Sequence, residues 1–359
     1  MINKMLDQAQ YELLNYPHRS LGYYLARPFK LLSGRDNDPN DRLAYSNAVL
    51  AKAMMDYYKK HINSEEAREI LAIVKRYYSR WSMGGHKIYS LEDAYGGMAM
   101  MDMHQITGDD RYKEGADIIL KQFIMTAETD DAGALISKKT ATGRYVYAEY
   151  IGYVCPFLAK YGSLYEDMAA TNLAVSQIEN FINRAMDEKT VLPYHGYDVD
   201  TGMKMGVIGW GQAVGMLLIG MSETLNDLEP DDFGYENIRQ TYRRIVDKVE
   251  SYQAEGGLYH WQLSTKEGPA DTAGTAMILY SIAQALESKV LIGIHKSRML
   301  RGVEALKACI QEDGTLPGAG AYSPEFNNYP MQYDAYPWAL GPALSLLTMV
   351  EEEEPKTII

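Results

Sequence analysis

Two short segments place a carboxylate among aromatic and small residues where a helix would begin. One runs Tyr89-Ser90-Leu91-Glu92-Asp93-Ala94-Tyr95-Gly96-Gly97. The other runs Tyr145-Val146-Tyr147-Ala148-Glu149-Tyr150 and continues into Cys155-Pro156-Phe157-Leu158-Ala159. Apolar and aromatic neighbours enclose Glu149. Burial disfavours the charged form of a carboxyl, so a group in that setting can keep its proton near neutral pH and serve as a general acid. Spacing alone leaves a plainer role open to both glutamates, because a carboxylate in the first turn of a helix is stabilised by the helix dipole. A third set spans a loop and the next helix start: His195 and Asp198 in Leu192-Pro193-Tyr194-His195-Gly196-Tyr197-Asp198, then Trp210 and Gln212 in Gly206-Val207-Ile208-Gly209-Trp210-Gly211-Gln212. One indole face for stacking, ringed by hydrogen-bonding groups, would make a saccharide clamp; a purely structural histidine is the alternative. Asn328-Tyr329-Pro330 and Tyr333-Asp334-Ala335-Tyr336-Pro337-Trp338 read either as a pocket rim, with Trp338 against the ligand, or as an aromatic loop packed on the core. Tyrosine outnumbers phenylalanine 29 to 6, and it joins an apolar face to a hydroxyl, which suits the walls of such a pocket. Tyr45 is assigned to that wall.

Helices must position these residues. Apolar residues recur at three- and four-residue spacing near 2–15, 42–61, 64–78, 91–105, 109–126, 148–162, 164–187, 206–225, 235–255, 270–287, 296–312 and 334–352. Strand-like alternation is confined to Ala134 to Ser137 and Leu258 to Leu263. The breaks carry helix signals: Asn63-Ser64-Glu65-Glu66 offers a capping serine and first-turn acids, and Thr107-Gly108-Asp109-Asp110 a stop followed by a cap. Pro230-Asp231-Asp232 and Asp313-Gly314 punctuate later turns. Some connections are tight, as at 62–64. Others are long and rich in glycine, aromatics and charge: 28–41, 80–90, 127–147, 188–205, 256–269 and 313–333. Six long loops among twelve helices predict an all-α fold of six helical hairpins in a ring, with the long loops on one face, where function usually sits. No Pro/Ser-rich linker divides the chain, so residues 1–359 are read as one domain. An open solenoid would need a fixed-period repeat that the sequence lacks. The small residues of Asp271-Thr272-Ala273-Gly274-Thr275-Ala276-Met277 would let two helices, or a helix and a ligand, approach closely.

Composition narrows the function. The 359 residues carry a formal net charge of -13 with no basic cluster, which argues against a nucleic-acid partner. The run Glu351 to Glu354 reads as a solvated tail. No apolar stretch is long enough to span a bilayer, and Met1 to Leu14 lacks the apolar run of a signal peptide, so no membrane partner and a cytoplasmic location are expected. Cys155 and Cys309 read as reduced, apolar helical residues; two distant cysteines cannot build a zinc site alone. There is no phosphate-binding Gly-x-x-x-x-Gly-Lys-Ser/Thr loop, no Gly-x-Gly-x-x-Gly after a strand and no His-Glu-x-x-His, so neither a cofactor nor a metal is expected. Nor is there a nucleophilic serine or cysteine constellation.

In their order these segments resemble the unsaturated glucuronyl and rhamnogalacturonyl hydrolases of glycoside hydrolase families 88 and 105, from about residue 40 onward. Leu91-Glu92 before Gly97 and Thr107-Gly108-Asp109 is similar to the family's Leu-Asp…Gly…Thr-Gly-Asp. Glu149 before Pro156-Phe157-Leu158-Ala159 is similar to its Asp…Pro-Phe-Leu-Ala. His195-Gly196-Tyr197-Asp198, Trp210-Gly211-Gln212 and Asp271 to Met277 are similar to its His-Gly/Ala-Trp-Asp, Trp-Gly/Ala-Arg and Glu-Thr-Ser-x-Ser-Ala-Met. The resemblance implies an (α/α)6 barrel, a six-hairpin toroid, and an oligosaccharide substrate bearing a C4=C5 double bond. A carboxylic acid protonates the vinyl ether at C4, water adds at C5, and the hemiketal opens and releases the neighbouring sugar. By position Glu149 would be that acid and Glu92 the second carboxylate. His195, Trp210 and Gln212 would contact the sugar.

Where the family has two aspartates this chain has glutamates, each one methylene longer. Its arginine stands here as Gln212 and its downstream tryptophan as Met216. Without the guanidinium, the charge logic suits a neutral or differently modified sugar better than a uronate. Two other readings compete: a glycosidase that uses paired glutamates on a saturated sugar, where carboxyl spacing sets the stereochemistry, and a non-catalytic glycan-binding accessory of polysaccharide production.

Overall fold

Helices alternate along the chain between those buried on all sides and those buried along one stripe, and that alternation builds the ring. The computed structural model describes residues 1–18, 43–265, 268–323 and 325–351. Among them lie twelve α-helices: α1 (Ile2–Asn15), α2 (Tyr45–Lys60), α3 (Glu65–Met83), α4 (Gly96–Thr107), α5 (Asp110–Asp117), α6 (Ala148–Tyr165), α7 (Met168–Ala185), α8 (Gly211–Asp227), α9 (Tyr235–Glu250), α10 (Thr272–Glu287), α11 (Lys296–Cys309) and α12 (Pro337–Val350). On α9 the buried residues Ile238, Thr241, Tyr242, Ile245, Val246 and Val249 follow the three-four spacing of an outer helix. On α8 every residue from Gly211 to Leu225 is buried, as an inner helix requires.

The even-numbered helices close a circle, α2 to α4 to α6 to α8 to α10 to α12 and back to α2, and each odd-numbered helix packs outside them. This is the expected (α/α)6 toroid. Every passage from an inner to an outer helix is brief, and every described passage from outer to inner is long. The long loops therefore gather at the N-terminal ends of the inner helices. The inner helices approach closely: a Cβ on Gly274 of α10 would lie 3.0 Å from the backbone of Gly211. The small residues near 271–277 thus serve helix packing. Ser64 accepts a hydrogen bond from the Ala67 N–H and Asp109 one from the Arg111 N–H, so both predicted caps form.

Several boundaries differ from the sequence reading. Helix α8 begins at Gly211 rather than 206, because Gly206 and Gly209 adopt φ of +80° and +68° that end any helical run. Helix α4 is preceded by a 3-10 turn, Leu91–Tyr95, and α5 gives way to a π turn at Ile118–Phe123 and a 3-10 turn at Ile124–Thr126. Helix α12 starts at Pro337, since proline fits a first turn whose N–H would be unpaired anyway. The proposed strands at 134–137 and 258–263 hold only isolated bridges. A four-stranded antiparallel sheet forms instead from β1 (Lys138–Thr140), β2 (Gly143–Tyr147), β3 (Gly196–Asp198) and β4 (Lys204–Met205). Another pair joins β5 (Ala319–Gly320) to β6 (Tyr333–Asp334). The loop predicted at 28–41 and residues 352–354 of the predicted tail lie outside the described residues. Among the described residues no helix is long and apolar enough to cross a membrane.

Candidate active site

The small sheet sets the first part of the site. Pairing of Tyr147 with Gly196 brings the start of α6 beside the β3 segment, and the Ala148 N–H donates to the His195 carbonyl at 2.9 Å. Glu149, in the first turn of α6, then meets the His195 ring, with Nε2 2.8 Å from Glu149 Oε1. His195 is fully buried, and Tyr147, Trp210, Phe326 and Tyr329 surround its ring at centroid distances of 5.0, 4.6, 5.2 and 5.5 Å. Its Nδ1 lies 2.9 Å from the Tyr329 hydroxyl. Glu149 Oε2 is buried with no hydrogen-bond partner among the described residues.

Glu149 and Glu92 line one cavity of about 320 Å3, together with Tyr45, Trp210, Gln212 and Trp338. Each of these residues lies at or just before the N-terminus of an inner helix. Five positive dipole ends, those of α2, α4, α6, α8 and α12, thus face the cavity that holds the two carboxylates. Glu92 sits on the 3-10 turn before α4. The same two carboxylates act on Tyr150, Tyr153 and Tyr322. Burial is the largest cause, and these negative charges add to it, in raising all three phenols above their ordinary range.

Gln212 is held rigidly. Its amide nitrogen donates to Asp271 Oδ2 at 2.9 Å and to the Gly320 carbonyl at 3.0 Å. Both hydrogens are committed, so Gln212 can offer a ligand only its acceptor oxygen. Burial raises the Asp271 carboxyl, partly offset by bonds from the Gly320 N–H and Gln212. Trp338 donates its indole N–H to the same Gly320 carbonyl at 3.1 Å and stacks on Tyr336 at 4.3 Å. The Tyr45 hydroxyl donates to the Met216 sulfur at 3.1 Å.

Two sequence-predicted residues fall elsewhere. His195 does not line the cavity; the β2–β3 pairing buries it behind Glu149. Asp198 does not line the cavity; its Oδ1 accepts the Asp200 and Thr201 N–H groups at 2.9 and 3.0 Å and shapes the β3–β4 turn. Sequence reasoning did not single out Tyr16, Tyr153 and Tyr322 as cavity residues. Tyr153 had a usable signal, since it lies one helical turn beyond Glu149 on the same face. Among the described residues no group of three His, Cys, Asp or Glu side chains is arranged to hold a metal ion.

A ring of six helical hairpins with paired carboxylates at its mouth defines the class, and similarity to known proteins defines the family. The Glycosyl Hydrolase Family 88 model matches residues 29–354, and the chain belongs to that family. It is 23% identical over 296 residues to the unsaturated rhamnogalacturonyl hydrolase YesR of Bacillus subtilis (strain 168), covering 79% of this chain and 84% of that protein. Among solved structures, a possible member of glycoside hydrolase family 105 from Klebsiella pneumoniae superposes with a TM-score of 0.82 at 14% identity, covering 97% of this chain and 92% of that one. An unsaturated glucuronyl hydrolase specific for heparin does so with 0.70 at 13% identity, covering 85% of each chain. The protein is thus a glycoside hydrolase of family 88.

Proposed function

We propose that the protein removes a terminal C4=C5-unsaturated sugar from an oligosaccharide by hydrating the double bond, with Glu149 as proton donor. The observation that carries this is the setting of Glu149. One oxygen is anchored by His195, the other has no hydrogen-bond partner among the described residues, and the side chain lines a cavity shared with Glu92. A proton leaves Glu149 for C4, and the positive charge appears at C5 and the ring oxygen. Water adds at C5 and returns its proton to Glu149. The hemiketal opens, and the neighbouring sugar leaves. One carboxyl is acid and then base, with no covalent intermediate. Glu92, at the same wall, stabilises the developing positive charge.

Trp210, Trp338 and Tyr45 supply faces and edges for the sugar ring. Gln212 offers an acceptor, so the substrate group beside it is a donor such as a hydroxyl; this favours a neutral or modified sugar there. Residues 1–359 act as one catalytic domain, because the cavity draws on residues from Tyr16 to Trp338 and one hydrophobic cluster runs from Met5 to Leu347. Two free cysteines, Cys155 and Cys309, suit a reducing compartment, and we place the activity in the cytoplasm.

The test is loss of the ultraviolet absorbance of the unsaturated sugar in a panel of lyase-generated oligosaccharides. Wild type is expected to bleach at least one member and Glu149→Gln none. Release of a saturated sugar without bleaching would replace this reading with ordinary glycoside hydrolysis.

A further inference from the structure

The Tyr329 hydroxyl sits in a seat built for it. The Val207 N–H donates to its oxygen at 2.9 Å, and His195 Nδ1 lies 2.9 Å away on the other side. The seat exists because residue 206 is glycine: a Cβ there would lie 2.6 Å from the Tyr329 oxygen and 2.6 Å from His195 Cβ. The backbone at Gly206 is also left-handed, with φ of +80°, which aims the Val207 N–H at the phenol. Burial pushes the Tyr329 phenol up to about 12, so it stays protonated at neutral pH.

Among the described residues the Tyr329 hydroxyl has two polar neighbours, the Val207 N–H and His195 Nδ1. The first can only donate. The phenol hydrogen is satisfied within this set only if Nδ1 accepts it. A neutral imidazole with Nδ1 bare carries its hydrogen on Nε2, which points at Glu149 Oε1, 2.8 Å away. The chain of donation then runs from Val207 to Tyr329 to His195 to Glu149, with every donor matched.

We propose that Tyr329 is a positioning residue that fixes the Nε2–H tautomer of His195 and, through it, the rotamer of Glu149. Tyr329 acts through His195 and not on Glu149 directly. It makes His195 a permanent donor to Oε1, which leaves Oε2 as the oxygen that gives and recovers the proton. Without the phenol, the imidazole hydrogen can move to Nδ1. Nε2 then becomes an acceptor that can draw the Glu149 proton onto Oε1 and away from Oε2, and the carboxyl loses the donor that fixes its rotamer. This inference rests on Glu149 being the proton donor.

The experiment is 15N NMR of the full chain labelled at histidine, with the His195 signals assigned by their loss in His195→Gln. Wild type at neutral pH is expected to show Nδ1 unprotonated and Nε2 protonated. Tyr329→Phe is expected to shift His195 toward the other tautomer. It should lower kcat about 10- to 100-fold with little change in KM, the size of effect that a misplaced catalytic group produces. A wild-type His195 protonated on Nδ1, alone or on both nitrogens, overturns the proposal even if Tyr329→Phe fails to fold. So does a folded Tyr329→Phe protein with an unchanged tautomer and unchanged kcat. The tautomer is read without substrate, so its failure is distinct from that of the proton-donor reading, which Glu149→Gln tests.

Discussion

The two ends of the barrel treat carboxylates in opposite ways. At the mouth, Glu149 and Glu92 line a cavity with hydroxyl, indole and amide neighbours, and Glu149 is tied to a histidine. Toward the C-terminal ends of the same inner helices, carboxylates meet lysines. Lys52 bonds to Asp56 at 2.7 Å and approaches Glu223 at 3.8 Å, while Asp102 is paired with Lys59 at 2.6 Å and with Lys160. Glu223 also accepts from Tyr280 at 2.9 Å. Helix C-termini favour cations and N-termini favour anions, so the ring of parallel inner helices sorts the charges before any ligand arrives. The difference separates holding from reacting. A carboxyl locked to lysines cannot pass a proton cheaply, and one held by a single neutral donor can.

The sharpest break in that contrast is Glu149→Gln. General acid–base groups contribute about 100- to 10,000-fold, so kcat should fall by that much while the melting temperature holds. A comparable loss of stability would mean that the mouth is as structural as the far end.

The next effect is at the far end. Burial works against the charged form of Asp102, but the ammonium groups of Lys160 and Lys59 outweigh it and hold the carboxyl well below the usual range. Asp102→Asn strands Lys160 and should cost about 3 kcal/mol in denaturant unfolding, with kcat/KM unchanged. An acid whose folded pKa is depressed contributes stability above its unfolded value, about 3.9, and loses it as pH falls further. The gap between wild type and Asp102→Asn should therefore be full at neutral pH and narrow below about pH 4.

A smaller and opposite effect is expected beside it. Burial pushes the Asp227 carboxyl up to about 6. A raised carboxyl favours the folded state below that pH and burdens it above. Asp227→Asn should stabilise the protein by about 1 kcal/mol above pH 6, allowing for its partial exposure, and by less near pH 4.

Much of this was legible in the sequence because helical periodicity and capping are local. Ser64 and Asp109 start helices as their types demand, and all twelve periodic segments contain a helix. Glu149, Glu92, Trp210, Gln212, Tyr45 and Trp338 share a cavity because each marks the start of an inner helix, a position that sequence can locate. What was not legible depends on pairing across distance. The β2–β3 register turns His195 inward behind Glu149, and the short strands involved have too few residues to show alternation. Asp198 groups with His195, Trp210 and Gln212 on the loop before a helix start, where a sugar contact fits, yet aspartate is equally favoured at turns. Tyr329 reads as part of either a pocket rim or an aromatic loop packed on the core. Its link to His195 spans 134 positions and depends on a glycine at 206.

The most direct test of the vinyl-ether reading is to run the reaction in deuterium oxide and examine the released monosaccharide by NMR. Protonation by Glu149 predicts one deuterium on C4, loss of the double bond, and no turnover in Glu149→Gln. A sugar released with its double bond intact, or with no deuterium on carbon, would contradict the account.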